Sequence, residues 1–578
     1  MRPRHLKHAT SFAALQKSTS SLSRGHGLQA IQPHRRASSN ARKSNSSTGD
    51  DVAVLGGGIT GLATAFFLLK SSPSTKVTLY EAGSRLGGWL ETKHVDVGTG
   101  SIVFEQGPRT LRPSVPNGLV TLRLIKELDL EEEVLLTPKS AAAAQNRYVY
   151  FPDRLNRMPG PGQPLLQQLM SLAKDPVFAG LVSGFLKEPF RQQRSAELED
   201  ESVESFISRR FSPYVARNIV SAVFHGIYAG DIAQLSARSL LPLLWQWEGG
   251  IGSVMGAMLE QRFMERPPVP ARDLELAEYL GERDVSKENK IFKASVFTFK
   301  KGLGALTDAL KAALSGLPNF TLRLDSSVQT VKYRSPGMVE VLTGNKETPI
   351  QHTHAISTLP FKTLASLIDT ELDSPSSLLD VRSVTVMVVN LYYTQPNLLP
   401  VHGFGYLIPK SVPFDQNPEL ALGAVFDSDA VTGQDTATGT KVTVMLGGHW
   451  WDDWSDYPDE EEAVGMAKAV LARHLGIHAS PAAMHASLQR DCIPQYTVGH
   501  HRRMADLHRT LNRHYVGRFR VAGSSFHGVG VNDCLRAAFD AAHFLHREEV
   551  KTGLEMYVED PDYRRIRKGS EQESDHAI

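Results

Sequence analysis

The chain has 578 residues but only two cysteines, Cys492 and Cys534. Two cysteines exclude a disulfide scaffold, and neither sits in a CxxC or Cys/His spacing that would hold a metal. Both read as packed core thiols. No apolar run reaches the roughly 20 residues of a bilayer-spanning helix, so any membrane contact is one-sided. Net charge is scarce too, at +1. That sum hides an asymmetry, because residues 1–49 carry nine Lys or Arg and no acid. Without them and Asp50 the remainder holds 54 basic against 61 acidic residues. A mildly acidic body argues against a nucleic-acid partner.

What is present is ordinary globular composition, 41% hydrophobic and 22% charged, in a chain long enough for several domain-sized units. Residues 1–49, rich in Arg, Ser, Ala and His and without an apolar h-region, fit a mitochondrial transit peptide better than a secretory signal. The plainer alternative is a disordered basic tail.

The organising stretch is Asp51–Trp89. A buried strand (Asp51–Leu55) runs into Gly56-Gly57-Gly58-Ile59-Thr60-Gly61 and then an apolar helix (Leu62–Leu69). A second strand, Lys76–Tyr80, ends at Glu81, twenty positions beyond Gly61. This is the spacing of a βαβ dinucleotide site. Gly56 allows the tight turn, Gly58 removes the side chain that would bar a pyrophosphate, and Gly61 lets helix and strand pack closely. The helix N-terminus favours phosphate, and Glu81 suits the ribose hydroxyls. A GxGxxG alone is weak; strand, helix and acid in register are not. Ala82, Arg85, Gly87, Gly88 and Trp89 follow at once, and Glu-x3-Arg-x-Gly-Gly after GxGxxG resembles FAD-dependent oxidases of the amine-oxidase and protoporphyrinogen-oxidase superfamily, not NAD dehydrogenases. The fold class implied is α/β: a discontinuous Rossmann-like FAD domain of glutathione-reductase type, a mixed α+β substrate domain and a helical membrane-associated domain.

Further along, Gly107-Pro108-Arg109-Thr110 leaves a short strand (Val103–Gln106) and can bring backbone and guanidinium to the flavin. Arg147, beside Tyr148 and Tyr150, can clamp a carboxylate bidentately; locally, an exposed strand arginine is the plainer reading. Gly162–Phe190 forms short apolar helices that either pack inside or dip into a membrane surface. Arg262–Lys290, dense in charge, reads as a solvated insertion. Thr321–Leu324 and Ser327–Tyr333 alternate like antiparallel strands. Residues 350–450, including His354–Leu359, read as a mostly antiparallel sheet walling a substrate pocket. Arg518–Gly523 is a strand, then Ser524 to Cys534, with Val529, Gly530 and Val531, forms a glycine turn opening a helix, whose free N–H groups suit the flavin pyrimidine. Past Arg547 the tail reads as disordered. The expected units are 1–49 presequence; 51–140, 293–348 and 490–547 FAD-binding; 141–245 helical and membrane-associated; 246–292 linker; 349–489 substrate-binding; and 548–578 polar tail.

Six segments carry a closer likeness over residues 51–547: Gly107–Pro113, Ala144–Tyr148, Gly226–Asp231, Gly403–Gly405, Ile493–His500 and Gly528–Cys534. Together they resemble the oxygen-dependent mitochondrial protoporphyrinogen oxidases, in their fungal form. The resemblance implies non-covalent FAD, protoporphyrinogen IX and dioxygen as substrates, and hydrogen peroxide as a product. It implies that Val328 lies near the adenine, that Arg147 binds a propionate, that Phe404 stacks on a pyrrole ring, and that Gly226 lines the pocket where a side chain would collide with the macrocycle. It gives Arg109 a structural and cofactor role. It implies a peripheral location on the intermembrane-space side of the inner mitochondrial membrane, hand-off to ferrochelatase, and a homodimer as an option. No paired carboxylates or Ser-His-Asp set occurs in these segments, so no catalytic side chain is assigned; the flavin carries the chemistry. A flavin amine oxidase or carotenoid desaturase, and a non-catalytic porphyrin-binding flavoprotein, are the alternatives.

Overall fold

The computed structural model describes residues 49–559 and 563–564, apart from 114–115, 161–162, 264–268, 281–289, 345, 347, 369–380 and 548. The expected presequence, residues 1–48, lies outside the described residues.

Two sheets organise the chain. The first is a five-stranded parallel sheet in the order 320–323, 76–80, 51–55, 354–357, 519–521. Val52 pairs with Val77 on one side and with His354 on the other. Val52 to Leu55 have no exposed surface, because helices cover both faces of such a sheet and a continuous apolar run suits that position. Parallel strands share one carboxyl edge. The residues that leave it are Gly56, Glu81, Leu324, Thr358 and Ala522, so segments remote in sequence converge on one crevice.

Two expectations fail here. His354–Ser357, expected in the antiparallel sheet, is instead the parallel neighbour of the first strand. Buried on both faces, it shows no alternation to betray which sheet it joins. Phe320–Arg323 likewise pairs parallel with Lys76–Tyr80; only Val328–Arg334 pairs antiparallel, with Met338–Thr343.

The second sheet has seven strands in the order 483–494, 383–393, 440–447, 421–425, 405–407, 148–150, 155–157. Among the described residues its one parallel pairing joins Gly405–Leu407 to Tyr148–Tyr150. Residues 148–157 therefore belong to this sheet, not to the helical unit expected from residue 141.

The helical unit packs around Phe206, Trp245 and Ile232. Its stretch Leu165–Phe190 is a helix pair bent by 80°. Among the described residues no single helix is long and apolar enough to cross a membrane, although this pair qualifies by length and composition. Its apolar side chains are uncovered: Leu166 is 69%, Leu186 70% and Phe190 89% exposed.

The charged insertion is not wholly solvated. Ala271–Tyr279 is a helix whose Leu276, with Leu280, is buried in the core of the first sheet. Its charges pair with the helix Val531–His543: Asp273 with Arg536 at 3.1 Å and Arg272 with Asp540 at 3.2 Å. The tail departs from expectation too. Thr552 and Leu554 are fully buried, and Tyr563–Arg564 pairs with Val269–Pro270 of the insertion.

Candidate active site

The first glycine turn separates three roles by what a side chain would meet. A Cβ on Gly61 would lie 1.9 Å from the Gly56 carbonyl oxygen, and Gly56 itself has φ +102°; both are fixed by the protein's own packing. A Cβ on Gly58 would meet nothing closer than the Gly88 Cα at 3.9 Å. Gly58 and Gly88 thus pack against each other with no side chain between them. Gly58 is also the N-cap of the helix Ile59–Ser71 and supplies no capping side chain, so the first-turn N–H groups are available to an anion. Glu81 lies beneath: its carboxylate accepts from the Gly57 N–H at 2.7 Å and the Gly83 N–H at 2.8 Å. Gly87 N–H donates to the Gly57 carbonyl at 2.9 Å, which lays the Ala82–Trp89 loop against the turn. Arg85 braces that loop, donating to the Gly88 carbonyl at 2.7 Å and pairing with Glu91 at 3.1 Å. Ser326 N–H bonds the Glu81 carbonyl at 2.8 Å, which places Val328 two residues from the acid.

The second turn meets the first. A Cβ on Gly523 would lie 3.3 Å from the Thr60 hydroxyl. From Gly530, the helix Val531–His543 packs along Ile59–Ser71, with Phe67 and Phe539 edge to face at 5.4 Å. Tyr496 closes the turn: its hydroxyl donates to the Ser524 carbonyl and accepts from the Gly528 N–H at 2.9 Å, and its ring stacks on His500 at 4.1 Å. The tail then straps it. His527 Nε2–H donates to the Gly553 carbonyl at 2.7 Å, and the Tyr557 hydroxyl donates to the Phe526 carbonyl at 2.5 Å. The sequence offered no periodicity for this short, turn-rich strap.

Gly107-Pro108-Arg109-Thr110 packs beside Trp89, whose carbonyl a Gly107 Cβ would approach to 2.4 Å. Arg109 Nη1 bonds Asp427 at 3.0 Å with both side chains buried, and the other Asp427 oxygen accepts from Thr443 at 2.7 Å. Among the described residues Arg109 Nη2 is buried without a protein partner, as a group that awaits an acceptor would be. Glu105, which sequence reasoning missed, is pushed up to about 7 by burial despite bonds from Thr92 and Leu303 N–H, each 2.7 Å.

Arg147, Phe404 and Gly226 converge on the strand Gly405–Leu407. Phe404 N–H bonds the Asn146 carbonyl at 3.1 Å, and the Arg147 guanidinium lies 5.5 Å from the Phe404 ring centroid. A Cβ on Gly226 would fall 2.7 Å from Leu407 Cδ2. A side chain at Gly226 would therefore meet the Leu407 side chain of this strand. Beside it, His225 Nδ1–H donates to the Ile408 carbonyl at 2.6 Å, leaving Nε2 to accept from His449 Nε2–H at 2.8 Å. Burial pushes His225 down to about 4 and His449 to about 3, so this wall is neutral at pH 7.

The sequence profile of the flavin containing amine oxidoreductases matches residues 59–544. A protoporphyrinogen oxidase of Schizosaccharomyces pombe is 35% identical over 503 residues, covering 86% of this chain and 98% of that one. The chain belongs to the flavin-containing amine oxidoreductases, in their protoporphyrinogen oxidase branch. A coproporphyrinogen III oxidase of Bacillus subtilis is 25% identical over 86% of this chain and 98% of its own length. The structure of cyclohexylamine oxidase from Brevibacterium oxydans shares the fold, with a TM-score of 0.55 at 16% identity over 86% of this chain and 98% of that one. The family cofactor is a flavin, and the side-chain-free Gly58–Gly88 cradle, the uncapped helix and the unpartnered Arg109 Nη2 fit FAD. Both thiols are pushed up to about 12 by burial, and so are poor nucleophiles for a covalent flavin bond.

Gly58→Val is expected to purify folded but colourless, whereas Gly61→Ala is expected not to fold; flavin absorbance and circular dichroism separate them, and a yellow Gly58→Val protein would contradict the cradle. Tyr557→Phe leaves the Phe526 carbonyl without its donor, a cost of about 1–3 kcal/mol. FAD affinity, measured by flavin fluorescence, should fall about tenfold, and an unchanged affinity removes the strap from the site.

Proposed function

We propose that this chain is an FAD-dependent oxidase that converts protoporphyrinogen IX to protoporphyrin IX. Six electrons leave the macrocycle in three two-electron steps, and three dioxygen become three hydrogen peroxide. The observation that carries the reading is the convergence of Arg147, Phe404 and the Gly226 helix on one strand, in a chain whose glycine turns build an FAD cradle. A large apolar macrocycle with two acid arms needs an apolar pocket with a cationic anchor. Arg147 supplies the anchor, Phe404 the stacking face, and the neutral His225–His449 pair a wall without fixed charge.

Gly56–Gly61, Glu81, Ala82, Gly87, Gly88 and Trp89 would hold the adenosine and pyrophosphate end of FAD, with Val328 near the adenine. Thr110, Ser524, Val529, Gly530 and Val531 would hold the ring end, with Arg109 Nη2 as donor. FAD supplies the hydride acceptor and passes electrons to dioxygen. The protein's part is to hold the macrocycle's C–H in register with that acceptor, and the macrocycle's own N–H groups release the accompanying protons.

The uncovered helices at Leu165–Phe190 support docking on a membrane surface. The acid-free N-terminus supports mitochondrial import. On the family resemblance alone the reading extends to the intermembrane-space side of the inner membrane, hand-off to ferrochelatase, and a homodimer.

Adding anaerobic protoporphyrinogen IX should bleach the flavin, and admitting air should yield porphyrin fluorescence with three peroxides per porphyrin. Amine turnover in place of porphyrin formation would overturn the assignment. Leu166→Glu with Leu186→Glu should abolish co-flotation with phospholipid vesicles while keeping turnover in detergent; retained flotation excludes these helices as the contact.

A further inference from the structure

The arginines of the cleft divide into two kinds. Arg109 is tied to Asp427, and Arg154 to Asp175 at 3.2 Å. Arg112 and Arg147 have no acid partner among the described residues. Both keep solvent-accessible side chains, yet protein surrounds them closely enough that lost hydration, with the charge of Arg112 added, holds Arg147 down to about 10. Arg112 is lowered by burial as well. Neither charge is offset by a carboxylate of the protein among the described residues.

Neither backbone is free to move away. Leu111 exchanges two hydrogen bonds with Phe297, both 2.8 Å, and the Arg112 carbonyl accepts from Asn532 Nδ2 at 2.8 Å. That ties Arg112 to the helix whose N-terminus forms the second glycine turn. On the other wall, the Arg147 carbonyl accepts from Met158 N–H at 2.8 Å, and Tyr148 enters the seven-stranded sheet. Arg109 and the short helix Ala142–Gln145 both adjoin the helix Asp427–Ala430, which brings the two walls to one side of the cleft.

We infer that Arg112 is a second carboxylate anchor, which with Arg147 forms a paired guanidinium site for the two acid arms on one edge of the macrocycle. The inference rests on the proposed function and deepens it. Each guanidinium presents a planar fork that matches a carboxylate, and one arginine grips one arm. Two arms gripped together leave the ring no freedom to swing about a single tether. Arg112 then selects substrates that carry two free carboxylates over those that carry one.

The test compares protoporphyrinogen IX with its monomethyl and dimethyl esters. In wild type, KM should rise at least tenfold from diacid to monoester. Arg112→Ala should raise KM for the diacid at least tenfold and bring diacid and monoester to within about twofold of each other. Arg112→Lys should restore part of the difference through its point charge. Protoporphyrin IX binding to FAD-free protein, followed by porphyrin fluorescence, should weaken in parallel. Unchanged KM and porphyrin affinity in Arg112→Ala, with a normal flavin spectrum and Tm, overturn the second anchor while leaving the function intact. Wild-type protein that oxidises none of the three substrates removes the function itself.

Discussion

The dry seam between the helices Ile59–Ser71 and Val531–His543 is the contact on which the site depends. Leu62, Ala63 and Phe67 on one side and the small Cys534, Ala538 and Ala542 beside Phe539 on the other are all buried in one core. Small side chains let the axes approach closely, so that the two N-terminal turns meet at Thr60 and Gly523. Neither turn alone grips a molecule as long as FAD. A wedge in the seam would move the turns apart without touching either.

A second constraint joins the two sheets. Arg109 and Asp427 are buried, and burying a charge pair of this kind contributes little net stability once lost hydration is counted. The pair earns its place through geometry, because it ties the Gly107–Thr110 turn to the sheet that carries Phe404. Asn390 reinforces the junction, donating to the Glu105 carbonyl at 3.2 Å and accepting from Thr443 at 2.8 Å. The proposed cofactor edge and substrate wall therefore hold a fixed separation, as hydride transfer would require.

Much of this was legible in the sequence for a local reason. The stretch Asp51–Trp89 states strand, turn, helix and acid within a single βαβ unit, and every element obeys its own periodicity. His354–Ser357 was misplaced because a strand buried on both faces carries no alternation. The helix Ala271–Tyr279 was hidden by its charges, which pair with Arg536, Asp540 and Arg547 rather than with water. The strap at Gly553–Tyr557 acts through backbone carbonyls, which leave no signature in residue type. Arg112 lay unread inside a motif already quoted, since nothing in its neighbourhood reveals that it lacks an acid partner.

The charge pattern across the cleft follows from these placements. Near neutral pH the arginines stay charged, whereas His225 and His449 are held neutral, so the proposed pocket has a cationic rim and an uncharged wall. The sign of the pH effect follows. An unfolded histidine binds its proton near pH 6.5, while the folded pair resists protonation until about 4 and about 3. Between those values the unfolded chain holds more protons, so the wall's contribution to stability is complete above roughly pH 6.5 and declines as pH falls. The acid arms of the substrate lose their charge over much the same interval. On the proposed reading, acid weakens the wall and the grip of the rim together.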